Sequence, residues 1–305
     1  MRSLVIGYGS IGARHARVLQ ELNCPVAVVS HRLVEFELVY NDLASAVAGF
    51  SPDYVIVANK TSEHYDTLIQ LAGLDYRGTV LVEKPLFDNY KEIPAHQFKN
   101  LFIGYNLRFH PLLQRLRELL SGEDIISVQA YVGQYLPTWR LDNDYSESYS
   151  AKKAEGGGAL RDLSHELDYL NWLLGGWQNV AALGGKYSDL KVETDDVFSI
   201  MMTTGHCPIV SVQMNYLDRL TRREVLINTK QHTLKLDFIK CCLEIDQECE
   251  TCEVARDVTY RNQHLAVINN QTTGLCSAKQ GLHVMKIIHA VETAVKERRW
   301  VANEE

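Results

Sequence analysis

Leu4-Val5-Ile6-Gly7-Tyr8-Gly9-Ser10-Ile11-Gly12 is the stretch that decides the fold. Three apolar residues suited to a strand run straight into a G-x-G-x-x-G turn, which opens a helical segment from Ile11 to Leu22 that Asn23 and Pro25 end. In this setting each glycine has its own use. Gly7 permits the tight turn, Gly9 lets the backbone approach a pyrophosphate, and Gly12 lets helix and strand pack closely. The helix N-terminus adds N–H groups and a positive dipole end for the phosphates. Gly7, Tyr8, Gly9, Ser10, Ile11 and Gly12 are therefore the expected dinucleotide cradle. The plain alternative is a glycine-rich turn with no ligand.

Moving outward, Val26–Val29, Tyr54–Ala58 and Val80–Val82 read as further strands, apolar on both faces as a parallel sheet between helical layers requires. At the end of the second strand an NAD-preferring domain places Asp or Glu to accept from the ribose 2′-hydroxyl. Here the residues are Ser30, His31 and Arg32, a hydroxyl, an imidazole and a guanidinium that suit a 2′-phosphate, so NADP(H) is expected over NAD(H). The alternative is that these are solvated loop residues and Glu35 swings in from the next turn. Glu83-Lys84-Pro85 stands just after the fourth strand, at the carboxyl edge of the sheet where ligands of such folds collect. A lysine there can hydrogen-bond a substrate hydroxyl and favour its alkoxide, and Pro85 fixes the turn, a cis peptide bond being one way to do so.

After about Tyr105 the pattern changes. Pro111 opens a helix with Leu112, Leu113, Leu116, Leu119 and Leu120 on one side, and alternating segments follow at Ile126–Val132, Val197–Thr203, Ile209–Tyr216, Glu224–Asn228 and Thr233–Phe238. These predict a mostly antiparallel sheet, and a final amphipathic helix carries Val284, Ile287, Ile288, Val291 and Val295. The fold class is α/β: a doubly wound parallel sheet over 1–105, then a second α/β domain with a large open sheet over 106–305.

The chain has 305 residues, 46% hydrophobic and 23% charged, which matches two globular domains at roughly 150 residues each. With a net charge of -7 it carries no broad basic field, so neither nucleic acid nor an anionic membrane is an expected partner. No apolar run approaches the ~18 residues that cross a bilayer, and Leu4-Val5-Ile6 is neither a signal peptide nor an anchor. Seven scattered cysteines read as thiols of a reducing cytoplasm. Cys241, Cys242 and the C-x-x-C pair Cys249 and Cys252 approach a zinc pattern, but no second pair follows, and no metal is expected.

With these residues in hand the chain resembles the Gfo/Idh/MocA family of NAD(P)-dependent sugar and polyol oxidoreductases. The resemblance rests on five motifs in order: the glycine turn; Val55-Ile-Val-Ala-Asn59-Lys-Thr61-Ser-Glu-His64; Glu83-Lys84-Pro85; Gly104-Tyr-Asn106-Leu-Arg108-Phe-His-Pro111; and Gly156-Gly-Gly-Ala-Leu-Arg161-Asp162-Leu-Ser-His165-Glu-Leu-Asp168. It implies a Rossmann domain, a second domain on a large open sheet, and a cofactor between them. It adds Asn59, Thr61, His64, Glu83, Lys84 and Pro85 to the cofactor side. It also implies Lys84 and His165 at the reacting carbon, and a homodimer or homotetramer.

At about 100° per residue, Leu163, Leu167, Leu170 and Leu174 form one stripe of the glycine-initiated helix, and Arg161, His165, Asp168 and Trp172 the other. A polar stripe of this kind is either a solvated face or a substrate wall. The family spaces an aspartate four residues before the histidine; here Asp162 is three before His165 and Arg161 takes the fourth place, so Asp162 and Asp168 are both candidates to orient His165. Asn106 and Arg108 are expected to orient substrate, Arg108 by a carboxylate or phosphate. The segment 134–150, with Trp139, Arg140, Tyr145 and Tyr149, is either a sugar-reading loop or a packed arm. It resembles the loop of a subgroup linked to bacterial surface-polysaccharide and nonulosonate biosynthesis. The expected reaction is hydride transfer between nicotinamide and a carbinol or keto carbon of a sugar or nucleotide sugar. The rivals are reduction of a C=N or conjugated double bond, and a catalytically silent dinucleotide sensor.

Overall fold

The computed structural model describes residues 1–139 and 144–304. They divide into two compact units, Met1–Phe109 with Arg256–Leu282, and His110–Ala255 with His283–Glu305.

In the first unit the chain runs β1 (Ser3–Ile6), α1 (Ser10–Glu21), β2 (Val26–Val29), β3 (Val39–Tyr40), α2 (Leu43–Phe50), β4 (Tyr54–Val57), α3 (His64–Gly73), β5 (Thr79–Val82) and β6 (Asn100–Ile103). β3-β2-β1-β4-β5-β6 is the order in the sheet, and all these pairs are parallel. Every residue of β1, β4 and β5 is buried, the signature of strands covered on both faces. The order reverses between β1 and β4, so their carboxyl ends open the crevice in which such sheets bind ligands.

The second unit begins with α4 (Pro111–Leu119), whose apolar side buries Leu112, Leu113 and Leu116. β7 (Ile125–Gly133) follows, then α5 (Ala159–Asp162), α6 (His165–Leu173), β8 (Trp177–Gly185), β9 (Val197–Thr204), β10 (Ile209–Asn215), β11 (Arg222–Thr229), β12 (Thr233–Asp237), β13 (Cys242–Ile245) and β14 (Glu248–Thr251). With β16 (Val301–Ala302) they form a nine-stranded sheet, β14-β13-β12-β11-β7-β10-β9-β8-β16, in which β7 with β10 is the parallel pair among antiparallel ones. β7 buries Val128, Ala130 and Val132 and leaves Gln129 exposed between them, the expected alternation of a sheet with one covered face.

From Arg256 the chain returns to the first unit with α7 (Val258–Ile268) and β15 (Cys276–Ser277), which pairs antiparallel with β6; α8 (Ala278–Glu297) begins there and ends in the second unit. The sequence reading puts a single boundary after residue 105, but the units do not follow one cut. Residues 256–282 group with the first unit, where two of their buried polar side chains find partners: Thr259 Oγ1 lies 2.7 Å from Asn106 Nδ2 and His264 Nε2 lies 2.8 Å from His15 Nδ1. Asn106 and Arg108, expected at the start of the second domain, likewise stand in the first unit.

Two further expectations are corrected. The glycine-initiated helix is not continuous: it breaks after Asp162, where Leu163 (φ -96°, ψ 20°) leaves helical geometry, and a new helix starts at His165. Arg161 and Asp162 on α5 therefore do not share one helical phase with His165 on α6. The thiol reading also fails for one pair, since Cys242 and Cys249 are joined across the β13–β14 hairpin (Cα–Cα 6.4 Å), where the register puts them diagonally on one face. Among the described residues no helix is long and apolar enough to cross a membrane, and no cluster of three or more His, Cys, Asp or Glu is placed to hold a metal ion.

Candidate functional site

Gly7 adopts φ +87°, and a Cβ there would lie 2.6 Å from the Asn59 backbone, so the loops after β1 and β4 meet at a point that excludes any side chain. A side chain at Gly12 would collide with the carbonyl oxygen of Gly7. Gly9 is the opposite case. It faces open space and caps α1, which has no side-chain cap of its own, so the first-turn N–H groups are left to a ligand. Asn59 donates through Nδ2 to Thr67 Oγ1 (2.9 Å), while its Oδ1 is buried with no hydrogen-bond partner. An uncapped helix start, a glycine open to approach and an orphaned acceptor fit a dinucleotide. Alongside lies a cavity of about 650 Å³ lined by Tyr8, Ser10, Arg14, Glu35, Phe36 and Glu37, with Tyr8 edge-on to Phe36 (5.5 Å).

Ser30, His31 and Arg32 are not among the residues lining that cavity. The Ser30 hydroxyl donates to the Arg32 carbonyl and accepts from the Arg32 N–H, both at 3.1 Å, while His31 and Arg32 are exposed. Thr61 and His64 are buried at the start of α3. His64 Nδ1 faces the carbonyls of Pro85 and Leu86 at 3.2 Å, so it carries the proton and donates to both. Burial holds its pKa below the usual imidazole value, so the ring is neutral.

The turn that carries Lys84 is thus held from one side by His64. Lys84–Pro85 is a cis peptide and Lys84 is half-buried. On the other side Glu83 Oε1 lies 2.9 Å from His15 Nε2, and Gly104 leaves room for that carboxylate, since a Cβ there would lie 2.5 Å from Oε1. Neither His15 nor His264 stands out in the sequence, because on a helix a lone histidine facing inward is indistinguishable from packing. Asn106 and Arg108 are buried, and Arg108 donates to Gln280 Oε1 at 2.8 Å.

In the second unit residues Gly157 to Leu170 are all buried, so the stripe of Arg161, His165 and Asp168 is not a solvated face. Arg161 pairs with Glu292 on α8 (2.8 Å), and Trp172 lies under the guanidinium of Arg117 (4.2 Å). Asp162 Oδ2 accepts from the Tyr216 hydroxyl at 2.6 Å, and Trp139 stands edge-on to Tyr216 at 5.2 Å. Tyr216, at the end of β10, is the residue that joins loop and helix. Burial first, and then the Asp162 carboxylate, push its hydroxyl well above the usual value. Tyr145 Oη accepts from the Lys191 N–H (3.2 Å), and a Cβ on Gly157 would run into the Tyr149 carbonyl, so much of this loop packs on its own unit. Arg140 lies outside the described residues.

A glycine turn at the switch point of a parallel sheet, with a second unit built on an open, mostly antiparallel sheet, defines a Rossmann-type dinucleotide-binding protein of two units. Residues 1–99 match the oxidoreductase family with an NAD-binding Rossmann fold, and residues 113–234 match the GFO/IDH/MocA C-terminal domain. The chain belongs to the Gfo/Idh/MocA family. It is 30% identical over 152 residues to an uncharacterised oxidoreductase of Synechocystis sp., a match covering 47% of this chain and 40% of that one, so under half of that relative is spanned. In fold it is similar to GenD2 from gentamicin A biosynthesis in complex with NAD (TM-score 0.82, 21% identity, 100% of this chain and 97% of that one). It is likewise similar to the WlbA dehydrogenase from Bordetella pertussis in complex with NADH and UDP-GlcNAcA (TM-score 0.81, 17% identity, 100% and 98%).

Proposed function

We propose that this protein is an NADP(H)-dependent oxidoreductase acting on a carbinol or keto carbon of a sugar or nucleotide sugar. The observation that carries the reading is the Lys84 turn, clamped by Glu83 and by His64 at the carboxyl edge of the sheet beside the glycine cradle. When bound, the nicotinamide supplies or takes the hydride. Lys84 donates a hydrogen bond to the substrate oxygen and favours its alkoxide form; His165 moves the hydroxyl proton as general acid or base, with Asp162 and Asp168 the candidates to orient it. Asn106, Arg108, Arg161, Trp139, Tyr145 and Tyr149 are the proposed surroundings of the substrate. WlbA, of the same fold, was seen with UDP-GlcNAcA, which is consistent with a nucleotide sugar; the role in surface-polysaccharide biosynthesis rests on the sequence resemblance of the segment 134–150.

The preference for NADP(H) is supported by exposed His31 and Arg32 at the end of β2, where no carboxylate stands. NAD(H) is a second reading, favoured by Glu35 and Glu37 lining the cavity. A homodimer or homotetramer is supported by the part-exposed face of the second sheet around Gln129, Tyr131, Gln213 and Leu226. A cytoplasmic location is supported by the five cysteines that remain thiols, with the Cys242–Cys249 link standing against it.

The test is a panel of keto sugars, nucleotide sugars, imines and enones with NADPH and NADH, run on the natural chain and on Lys84→Met. Turnover of a sugar carbonyl that Lys84→Met abolishes while dinucleotide binding persists supports the reading. Turnover unchanged in Lys84→Met removes Lys84 from the mechanism, and turnover of imines or enones alone overturns the substrate class.

A further inference from the structure

Beneath the proposed catalytic turn lies a chain of four buried polar side chains drawn from four segments of the first unit. Tyr54 Oη on β4 lies 3.1 Å from His264 Nδ1 on α7; His264 Nε2 lies 2.8 Å from His15 Nδ1 on α1; and His15 Nε2 lies 2.9 Å from Glu83 Oε1. Tyr54, His15 and His264 are fully buried, and Glu83 is 8% exposed. With His15 as a neutral ring, the partners set a single proton order. A carboxylate can only accept, so His15 donates from Nε2 and accepts at Nδ1; His264 must then donate from Nε2 and accept at Nδ1, and the Tyr54 hydroxyl donates into it. The order runs one way, ends on Glu83, and leaves no ring nitrogen of the two histidines without a partner. Tyr260 stands edge-on to His15 at 5.3 Å and helps to close the chain off.

An apolar core would fill this volume without demanding four matched partners. What the polar chain adds is a fixed position for the Glu83 carboxylate, one residue from Lys84, on a turn whose next two carbonyls are already held by His64. His15 also lies on α1, the helix whose N-terminus meets the expected pyrophosphate.

We propose that His15 and His264 are positioning residues for Lys84, the one-way chain Tyr54–His264–His15–Glu83 holding the Lys84 turn in its working geometry. This rests on the reading of Lys84 as the residue that meets the substrate oxygen. His264→Phe keeps the ring volume and removes both links, whereas the amide of His264→Gln can donate to His15 and accept from Tyr54 and so rebuild them. Tyr54→Phe removes only the far end.

The experiment needs no substrate. The rate at which acetic anhydride acylates Lys84 is followed by peptide mass spectrometry in the four proteins, with circular dichroism and NADPH or NADH binding measured alongside. His264→Phe is expected to change the Lys84 rate at least threefold with dinucleotide affinity kept within twofold, His264→Gln to restore it, and Tyr54→Phe to fall between. An unchanged Lys84 rate in a folded His264→Phe overturns the proposal, as does loss of dinucleotide binding in parallel, which would mark a merely structural role. Should His264→Phe not fold, ring nitrogen-15 spectra of the natural protein decide: both histidines neutral and protonated at Nε2 support the chain, and any other tautomer overturns it. The site reading fails separately, when Lys84→Met leaves turnover intact.

Discussion

The Tyr216 hydroxyl donates to Asp162 Oδ2 at 2.6 Å, tying the end of β10 to the end of α5 with both side chains buried. Removing that donor takes one hydrogen bond from a buried carboxylate. Tyr216→Phe is therefore expected to cost about 1–3 kcal/mol in urea unfolding. The Trp139 contact, made by the ring, should survive, so the near-ultraviolet circular dichroism should stay close to the natural spectrum. No loss of stability would mean that the bond contributes nothing.

Glu166 accepts two hydrogen bonds from Arg223, at 2.9 Å from Nε and 3.1 Å from Nη2, with its side chain fully buried. Breaking one side strands the other charge. Glu166→Ala should destabilise by about 3–5 kcal/mol, and the apolar pair Glu166→Leu with Arg223→Met should recover most of that. Equal losses in the single and double variants would contradict the prediction.

Asp195 accepts from the Leu160 N–H at 2.9 Å, and burial pushes its carboxyl up to about 6. The folded chain therefore holds a proton that the unfolded chain has released, and this contribution, full below pH 3.8, is lost as pH rises through about 6. Asp195→Asn keeps the acceptor and removes the charge. It should stabilise the protein by at most about 3 kcal/mol at pH 7.5, with the gain shrinking to nothing near pH 4. Paired denaturant curves across that range check the sign; a gain that grows on acidification would refute it.

Gly104 leaves the space that the Glu83 carboxylate fills, with an added Cβ only 2.5 Å from Oε1 and 3.2 Å from the Glu83 Cα. His15 holds the carboxylate in place, so it cannot simply swing aside. Gly104→Ala should cost about 1–3 kcal/mol by overpacking, read as a shift of the denaturation midpoint.

The cofactor preference turns on two neighbouring sites. If the 2′-phosphate is read at the end of β2, Arg32→Ala weakens NADPH binding about tenfold or more and leaves NADH unchanged, since a charged hydrogen bond is worth about 1.5–3 kcal/mol. If the ribose hydroxyl is read from the cavity instead, Glu35→Gln weakens NADH binding and Arg32→Ala does little. Titrating both dinucleotides into the two variants separates the outcomes.

Local sequence determined four of the six parallel strands, the glycine turn and the Glu83-Lys84-Pro85 turn, because a strand, a positive φ and a tight helix–strand approach each leave a mark within a dozen residues, while β3 and β6 were not marked. It also determined the alternation of β7 and β9 to β12, which depends only on the residue two places along. What it left out is what distant residues decide. α7, the sequence Val-Thr-Tyr-Arg-Asn-Gln-His-Leu-Ala-Val-Ile, has no clear apolar stripe, since its inward face includes Thr259, Gln263 and His264. His264 and Thr259 find partners there in His15, 249 residues away, and Asn106, while the Gln263 amide is buried with no hydrogen-bond partner. The break after Asp162, Tyr216 beneath it, Glu35 and Glu37 in the cavity, and the Cys242–Cys249 link are of the same kind. Periodicity reports which side of an element is apolar. Which polar group faces which is settled only when the chain closes, because the cost of an unmatched buried donor falls on pairs that no local pattern contains.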